Sequence, residues 1–292
     1  MNENIEIDGN GSVTIGEKNN FEGKVRIIFS GPGSVTIGDY CTFGRDVKFV
    51  VSGGDVFIND WTTLHDGCLI LCSVGVKIGE HCWFGQNCVL DGTGGLTIGN
   101  GVRVGMYSQI WSHVAAGERL EGCTLFSERP VVIEDNVWLV GSCIVSSGVI
   151  IGARTVALIN SNVTKSWPSN AVLAGSPASL KEQLSFYREV SPAEKWTMLQ
   201  EWLVHIADEL RLSQFKVGDS IALQWADNRS EDVVIFVQDE ADFFATKVAY
   251  PDATVCCIAT KKYTKQLNNL EGAVFKKLSG NKARFLSSSR AD

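Results

Sequence analysis

Few side chains here can accept a proton near neutral pH: the chain has four histidines, His65, His81, His113 and His205. An imidazole titrates close to physiological pH, so each is a candidate general base or metal ligand. Nine cysteines offer thiolate or disulfide chemistry as alternatives. Their number is odd, and the start Met1-Asn2-Glu3-Asn4 has neither the positive nor the apolar segment of an export signal, so reduced thiols in a cytoplasmic protein are expected. Cys41, Cys68, Cys82, Cys88 and Cys143 each follow a branched or aromatic residue by four positions (Ile37, Leu64, Ile78, Phe84, Leu139), as small interior side chains would. Cys256 and Cys257 are adjacent, a poor spacing for zinc.

The elements that position these groups follow a six-residue repeat. Large apolar residues, usually trailed by a small or polar one, recur as Ile15 and Phe21, Ile37 and Phe43, Ile58 and Leu64, Ile78 and Phe84, and Ile98 and Val104. A second run, Ile133, Leu139, Val145, Ile151, Ala157 and Val163, keeps the step without a break. Helices repeat apolar residues at three and four and alternating strands at two, so a step of six implies short strands joined by tight turns. Stacked three-faced coils of a parallel β-helix bury the large residues in a core that no single coil could make. Coil starts at Ile37, Ile58, Ile78 and Ile98 are 21, 20 and 20 residues apart, and Gly31-Pro32-Gly33, Gly53-Gly54 and Gly94-Gly95 supply the surplus beyond eighteen. From Ile98 to Ile133 the interval is 35, which places an excursion at residues 111–129, and insertions on solenoids tend to carry function. His113 stands at its entrance. His65, His81 and His113, spaced 16 and 32 apart, fall on unlike faces of successive coils and do not read as a zinc site.

The ordered series Pro130-Val131-Val132-Ile133-Glu134-Asp135-Asn136-Val137-Trp138-Leu139, Gly148-Val149-Ile150-Ile151-Gly152, Val163-Thr164-Lys165 and Gly175-Ser176-Pro177-Ala178 resembles the hexapeptide-repeat O-acetyltransferases. These include the maltose and galactoside enzymes and those that decorate bacterial surface polysaccharides. The resemblance spans roughly residues 10–185. It implies a left-handed helix, contrary to the usual right-handed crossover, and a homotrimer with acetyl-CoA and a carbohydrate acceptor meeting in clefts between subunits. It also implies that the excursion reaches over a neighbour, and that His113 deprotonates a sugar hydroxyl attacking the thioester and returns the proton to the coenzyme thiolate.

Such a base needs its second nitrogen held, and Glu118, Glu121, Glu128 or a loop carbonyl are the expected holders. Oxyanion donors are expected among backbone N–H groups or near Trp138. One coil of about 20 puts Trp111 above Asp91 and His113 above Thr93, so Asn87, Asp91 and Trp111 are expected near the base; the resemblance implies that this part of the repeat holds acceptor hydroxyls, while Asp91 alternatively caps its Gly-rich corner. By resemblance the coenzyme falls to Trp138, Gly141, Ile159, Thr164 and Lys165, with Lys181 either near a phosphate or simply solvated. The chain departs from the family at Val140, where Gly is usual, and at Leu158-Ile159-Asn160, where Gly-Ala-Gly is usual. Bulk at Val140 and Ile159 narrows the expected channel, which leaves a non-catalytic trimeric scaffold as a rival reading; N-acetylation of an amino sugar-nucleotide is the enzymatic rival.

The rhythm ends near Gln183, which divides a β-helical domain at 1–185 from an α+β accessory domain at 186–292. Ser191-Pro192 reads as an N-cap with Pro at the first helical position, and Trp196, Leu199, Leu203, Ile206 and Leu210 give an amphipathic helix through about Leu212, with His205 packing beside Trp202. Strands are expected at 220–225, 232–238 and 254–260, and a helix at 261–270. The formal charge of -7 argues against nucleic acid as a partner. Only the end is basic: Lys261, Lys262, Lys265, Lys276, Lys277, Lys282, Arg284 and Arg290 stand against Glu271 and the terminal Asp292, a candidate patch for an anionic glycan, a sugar phosphate or the inner face of a membrane.

Overall fold

The computed structural model describes residues 3–115 and 117–288, so Arg290 of the basic run lies outside the described residues. The chain divides into two compact units, residues 1–188 and 189–292.

In the first unit, three sheets of eight, seven and nine strands are wound by one chain, each strand pairing in parallel with its counterparts one coil before and after, except that Ser179–Leu180 closes the third sheet antiparallel to Val172–Ala174. The large residues of the repeat point inward and stack in columns. Ile37, Ile58, Ile78, Ile98 and Ile133 pair in sequence along the second sheet, and Phe21, Phe43, Leu64, Phe84, Val104, Leu139 and Ala157 along the third. Along the first sheet the column is Ile27, Phe49, Ile70, Leu90, Ile110, Val145 and Val163. Nearly all are fully buried, forming one continuous core. Coiling starts earlier than the repeat shows, because Ile5–Asp8 already pairs with Val25–Phe29. The five cysteines tied to the repeat are buried, as is Cys72, and six of these thiols sit within 3.7 Å of backbone carbonyls of neighbouring coils.

The excursion is an antiparallel hairpin of His113–Ala115 and Phe126–Glu128, with His113 opposite Glu128. Trp111 itself remains in the coil ladder, donating its N–H to Val145 O, so the arm leaves at Ser112. It returns at Arg129, whose N–H donates to Ser112 O at 3.0 Å.

The second unit is a six-stranded mixed sheet with three helices, α1 (Pro192–Leu210), α2 (Glu240–Ala249) and α3 (Asn269–Leu278). Ser191 and Glu194 form a reciprocal capping box on α1, and Arg211 in the left-handed region ends it two residues before the expected limit. The strand Leu212–Val217 and helix α2 were not anticipated, and the helix expected at 261–270 is instead the strand Lys262–Tyr263 followed by α3. Tyr263 is fully buried there, so tertiary packing decides against local helical preference. His205 lies on the exposed side of α1 and does not pack. The basic run is no uniform face: Lys277 pairs with Glu209, Arg284 donates to the carbonyls of Ser279 and Gly280, and Glu271 is buried, accepting from Thr254 Oγ1 and Gln266 N–H.

Coil spacing makes one glycine a sharp test. A Cβ on Gly105 would stand 1.9 Å from Val140 O of the next coil, whereas one on Gly141 would meet nothing nearer than Met106 O at 3.7 Å. Gly105→Ala is expected to lower unfolding free energy in urea by about 3 kcal/mol, with Gly141→Ala within about 0.5 kcal/mol of wild type.

Candidate active site

The centre of the site is a buried carboxylate. Asp91 extends the strand Val89–Gly92, directly beneath the point where the next coil releases the hairpin arm. Its Oδ2 accepts from Ser112 N–H (2.7 Å), Ser112 Oγ (2.9 Å) and His113 N–H (3.0 Å), and lies 2.8 Å from His113 Nδ1. Its Oδ1 accepts from Thr93 N–H and Oγ1. An ionised carboxylate only accepts, so the contact places the imidazole proton on Nδ1 and leaves the Nε2 lone pair free. Burial by itself would raise the Asp91 pKa, but hydrogen bonds from Thr93, His113 and Ser112 together outweigh it and hold the carboxyl below its ordinary range.

Seryl hydroxyls fasten the root of the arm around this pair. Ser112 Oγ accepts from Gly94 N–H, Ser147 Oγ donates to Ser112 O, and Ser147 meets Ser127 Oγ at 2.9 Å. Gly94 has no room for a side chain, since a Cβ would stand 2.5 Å from Ser112 O and 2.7 Å from Arg129 N. The arm forms one wall of a cleft of about 1080 Å³ lined by Trp111, His113, Phe126, Arg129, Ile144 and Thr164, ample for an extended ligand. Trp111 packs edge-on to His113, with ring centroids 5.9 Å apart.

Several expectations need correction. Asp91 holds His113 in place of Glu118, Glu121 or Glu128, and being wholly buried it presents no surface to an acceptor. Of the three glutamates, Glu128 lines the cleft and the others sit at the turn of the arm. Asn87 lies at the opposite end of the Val89–Gly92 strand from His113, in a corner where its φ of 57° gives it a turn role. Within one chain Thr164 shares the cleft, but Trp138, Gly141, Ile159 and Lys181 do not. Trp138 and Ile159 are exposed elsewhere, Trp138 on the third sheet, and Gly141 and Ile159 share the corner that leads to the first. Lys181 Nζ donates to Ser179 Oγ, and Lys165 Nζ lies 4.6 Å above the Trp167 ring. His65 meets Trp83 edge-on and His81 stacks on Trp61; among the described residues no grouping of His, Cys, Asp and Glu could hold a metal. Ser112, Ser127 and Ser147 were missed, and the only sequence signal for them is Ser112 standing between Trp111 and His113 at the break in the repeat.

Because the folded Asp91 pKa is depressed, its contribution to stability is complete above the unfolded value near 3.9 and lost as pH falls through the folded value. Asp91→Asn is therefore expected to cost about 2–4 kcal/mol at pH 7 in urea unfolding, with the gap narrowing toward pH 3. A gap of equal size at both pH values would contradict the ionised role.

No family model matches the chain. WcaF of Escherichia coli strain K12, an assigned acetyltransferase of colanic acid biosynthesis, is 33% identical over 105 residues, which is 35% of this chain and 56% of WcaF. Nodulation protein L of Rhizobium meliloti strain 1021 is 35% identical over 114 residues, 38% of this chain and 62% of that protein. The chain thus spans less than two thirds of the length of either relative. In solved structures, the polysialic acid O-acetyltransferase OatWY matches 64% of this chain and 92% of its own with a TM-score of 0.51 at 20% identity. The polySia-specific acetyltransferase NeuO matches 64% and 91% with a TM-score of 0.50 at 19% identity. That likeness shows the fold, a left-handed parallel β-helix, and the β-helical unit is similar in sequence and fold to hexapeptide-repeat acetyltransferases.

Proposed function

We propose that the protein is an acetyl-CoA-dependent O-acetyltransferase that acts on a carbohydrate hydroxyl, in a bacterial surface polysaccharide or its precursor, with His113 as general base. The observation that carries this reading is the 2.8 Å contact between His113 Nδ1 and buried Asp91 at the mouth of the cleft. With Nδ1 protonated, Nε2 takes the proton of the acceptor hydroxyl as its oxygen bonds to the thioester carbonyl carbon. Asp91 stabilises the resulting imidazolium. Breaking of the C–S bond then releases the coenzyme thiolate, which recovers the proton from Nε2. The names of WcaF and OatWY support a polysaccharide acceptor. Arg129, exposed along the cleft, suits an acidic sugar.

Thr164 would take part in holding acetyl-CoA beside His113. A homotrimer is the arrangement that accounts for the remaining coenzyme candidates, Trp138, Gly141, Ile159, Lys165 and Lys181, which would serve the cleft of a neighbouring subunit. The arm supports this: Leu120, Leu125 and Phe126 expose 88%, 57% and 48% of their surface, an apolar tip suited to a partner. The open space over Gly141 supports close approach of a ligand there, while Val140 turns its carbonyl into the coil stack toward Gly105.

His113→Ala should reduce acetyl transfer to an acidic glycan panel by about 10²–10⁴-fold, read as thiol release, with coenzyme binding retained. Loss of only a few-fold would remove His113 as the base. Release of acetate from the product by mild base identifies an ester, and light scattering of the intact protein should read three chains.

A further inference from the structure

The unit at 189–292 contains a separate pocket of about 220 Å³, room for roughly seven waters or one small organic body. Met198, Leu199 and Trp202 come from one face of α1, and Ile258, Ala283 and Phe285 complete an apolar interior. Three lysines, Lys195, Lys261 and Lys282, stand around it, and the lining includes no acidic residue. Lys195 precedes Trp202 by two helical turns on the same face.

Lys261 is aimed inward by its backbone. Its φ is 58°, its carbonyl accepts from Leu286 N–H at 2.7 Å, and its ammonium lies 4.1 Å from the centre of the Phe285 ring. Burial lowers its pKa to about 8, helped by Arg284 and Lys195 and opposed by the Cys256 thiol. A mostly buried ammonium facing other cations is costly, and an anion in the pocket would relieve that cost. The lining favours an anion over a neutral sugar, because it offers three ammonium donors and no carboxylate or amide side chain to accept from sugar hydroxyls.

We propose that this pocket binds a small amphiphilic carboxylate, its apolar body against Trp202 and Phe285 and its anionic head between Lys195, Lys261 and Lys282. The site is independent of the His113 cleft and of the activity proposed for it.

The test is calorimetry on the full chain with octanoate and, as a neutral counterpart, 1-octanol. Octanoate should bind once per chain and at least tenfold more tightly than 1-octanol. Lys261→Met should weaken octanoate at least tenfold and leave 1-octanol unchanged. Lys195 and Lys282 are both exposed, so the double variant Lys195→Met/Lys282→Met keeps the test intact if Lys261→Met does not fold; it should weaken octanoate at least fivefold. Trp202→Ala should weaken both ligands. Equal affinity for octanoate and 1-octanol, or lysine variants that bind octanoate like wild type, would overturn the proposal.

Discussion

Each coil of the β-helix must lie directly on the one before it, because the backbone N–H groups of one coil find their acceptors on the coils that flank it. Gly38 N–H donates to Ile58 O at 2.7 Å, Gly79 N–H to Ile98 O at 2.8 Å and Gly99 N–H to Ile133 O at 2.7 Å. The last of these bonds spans the whole arm and is as short as the others. An insertion can therefore leave the stack only if it returns to the same register, since a slip would leave several amides of the next coil buried and unpaired at about 1–3 kcal/mol each. The surplus glycines and left-handed residues at the corners follow from the same constraint, as does the absence of space over Gly105.

The Asp91 cluster is where that constraint is locally broken. At Ser112 the chain stops following the coil below, and the donors it would have spent on a strand ladder turn instead to one carboxylate. Four hydrogen-bonding groups on Oδ2 and two on Oδ1 compensate the desolvation of the charge, and one of the six is the imidazole. Structural anchoring of the arm and orientation of the His113 imidazole thus rest on the same atoms. The cleft wall and the imidazole are positioned together, on regular strands rather than on a free loop.

The second unit has a different logic. Its mixed sheet is held by long-range pairing, such as Val233–Val237 beside Thr254–Cys257 in parallel and Cys256 opposite Tyr263 in the antiparallel sense. Its basic residues are distributed by their partners: Lys277 to Glu209, Arg284 to two carbonyls, Lys261 to an aromatic ring. A count of charges along the chain reads these as one patch, although the fold assigns them to different environments.

The sequence by itself determined the β-helix, its coil lengths, its interior cysteines and the position of the arm, because a six-residue period is a direct image of three short faces around one core. It also singled out His113, which stands at the one break in that period. The partner of His113 was decided by tertiary structure: Asp91 lies 22 residues away, and a stacking offset of 20 places it under Trp111 rather than under the histidine. Only the turn of the chain at Ser112 brings the imidazole back over the carboxylate. The same holds for the separation of Trp138 and Gly141 from the cleft, which depends on which face of the coil each residue occupies, and for the lysine pocket, whose members come from three segments with no common period.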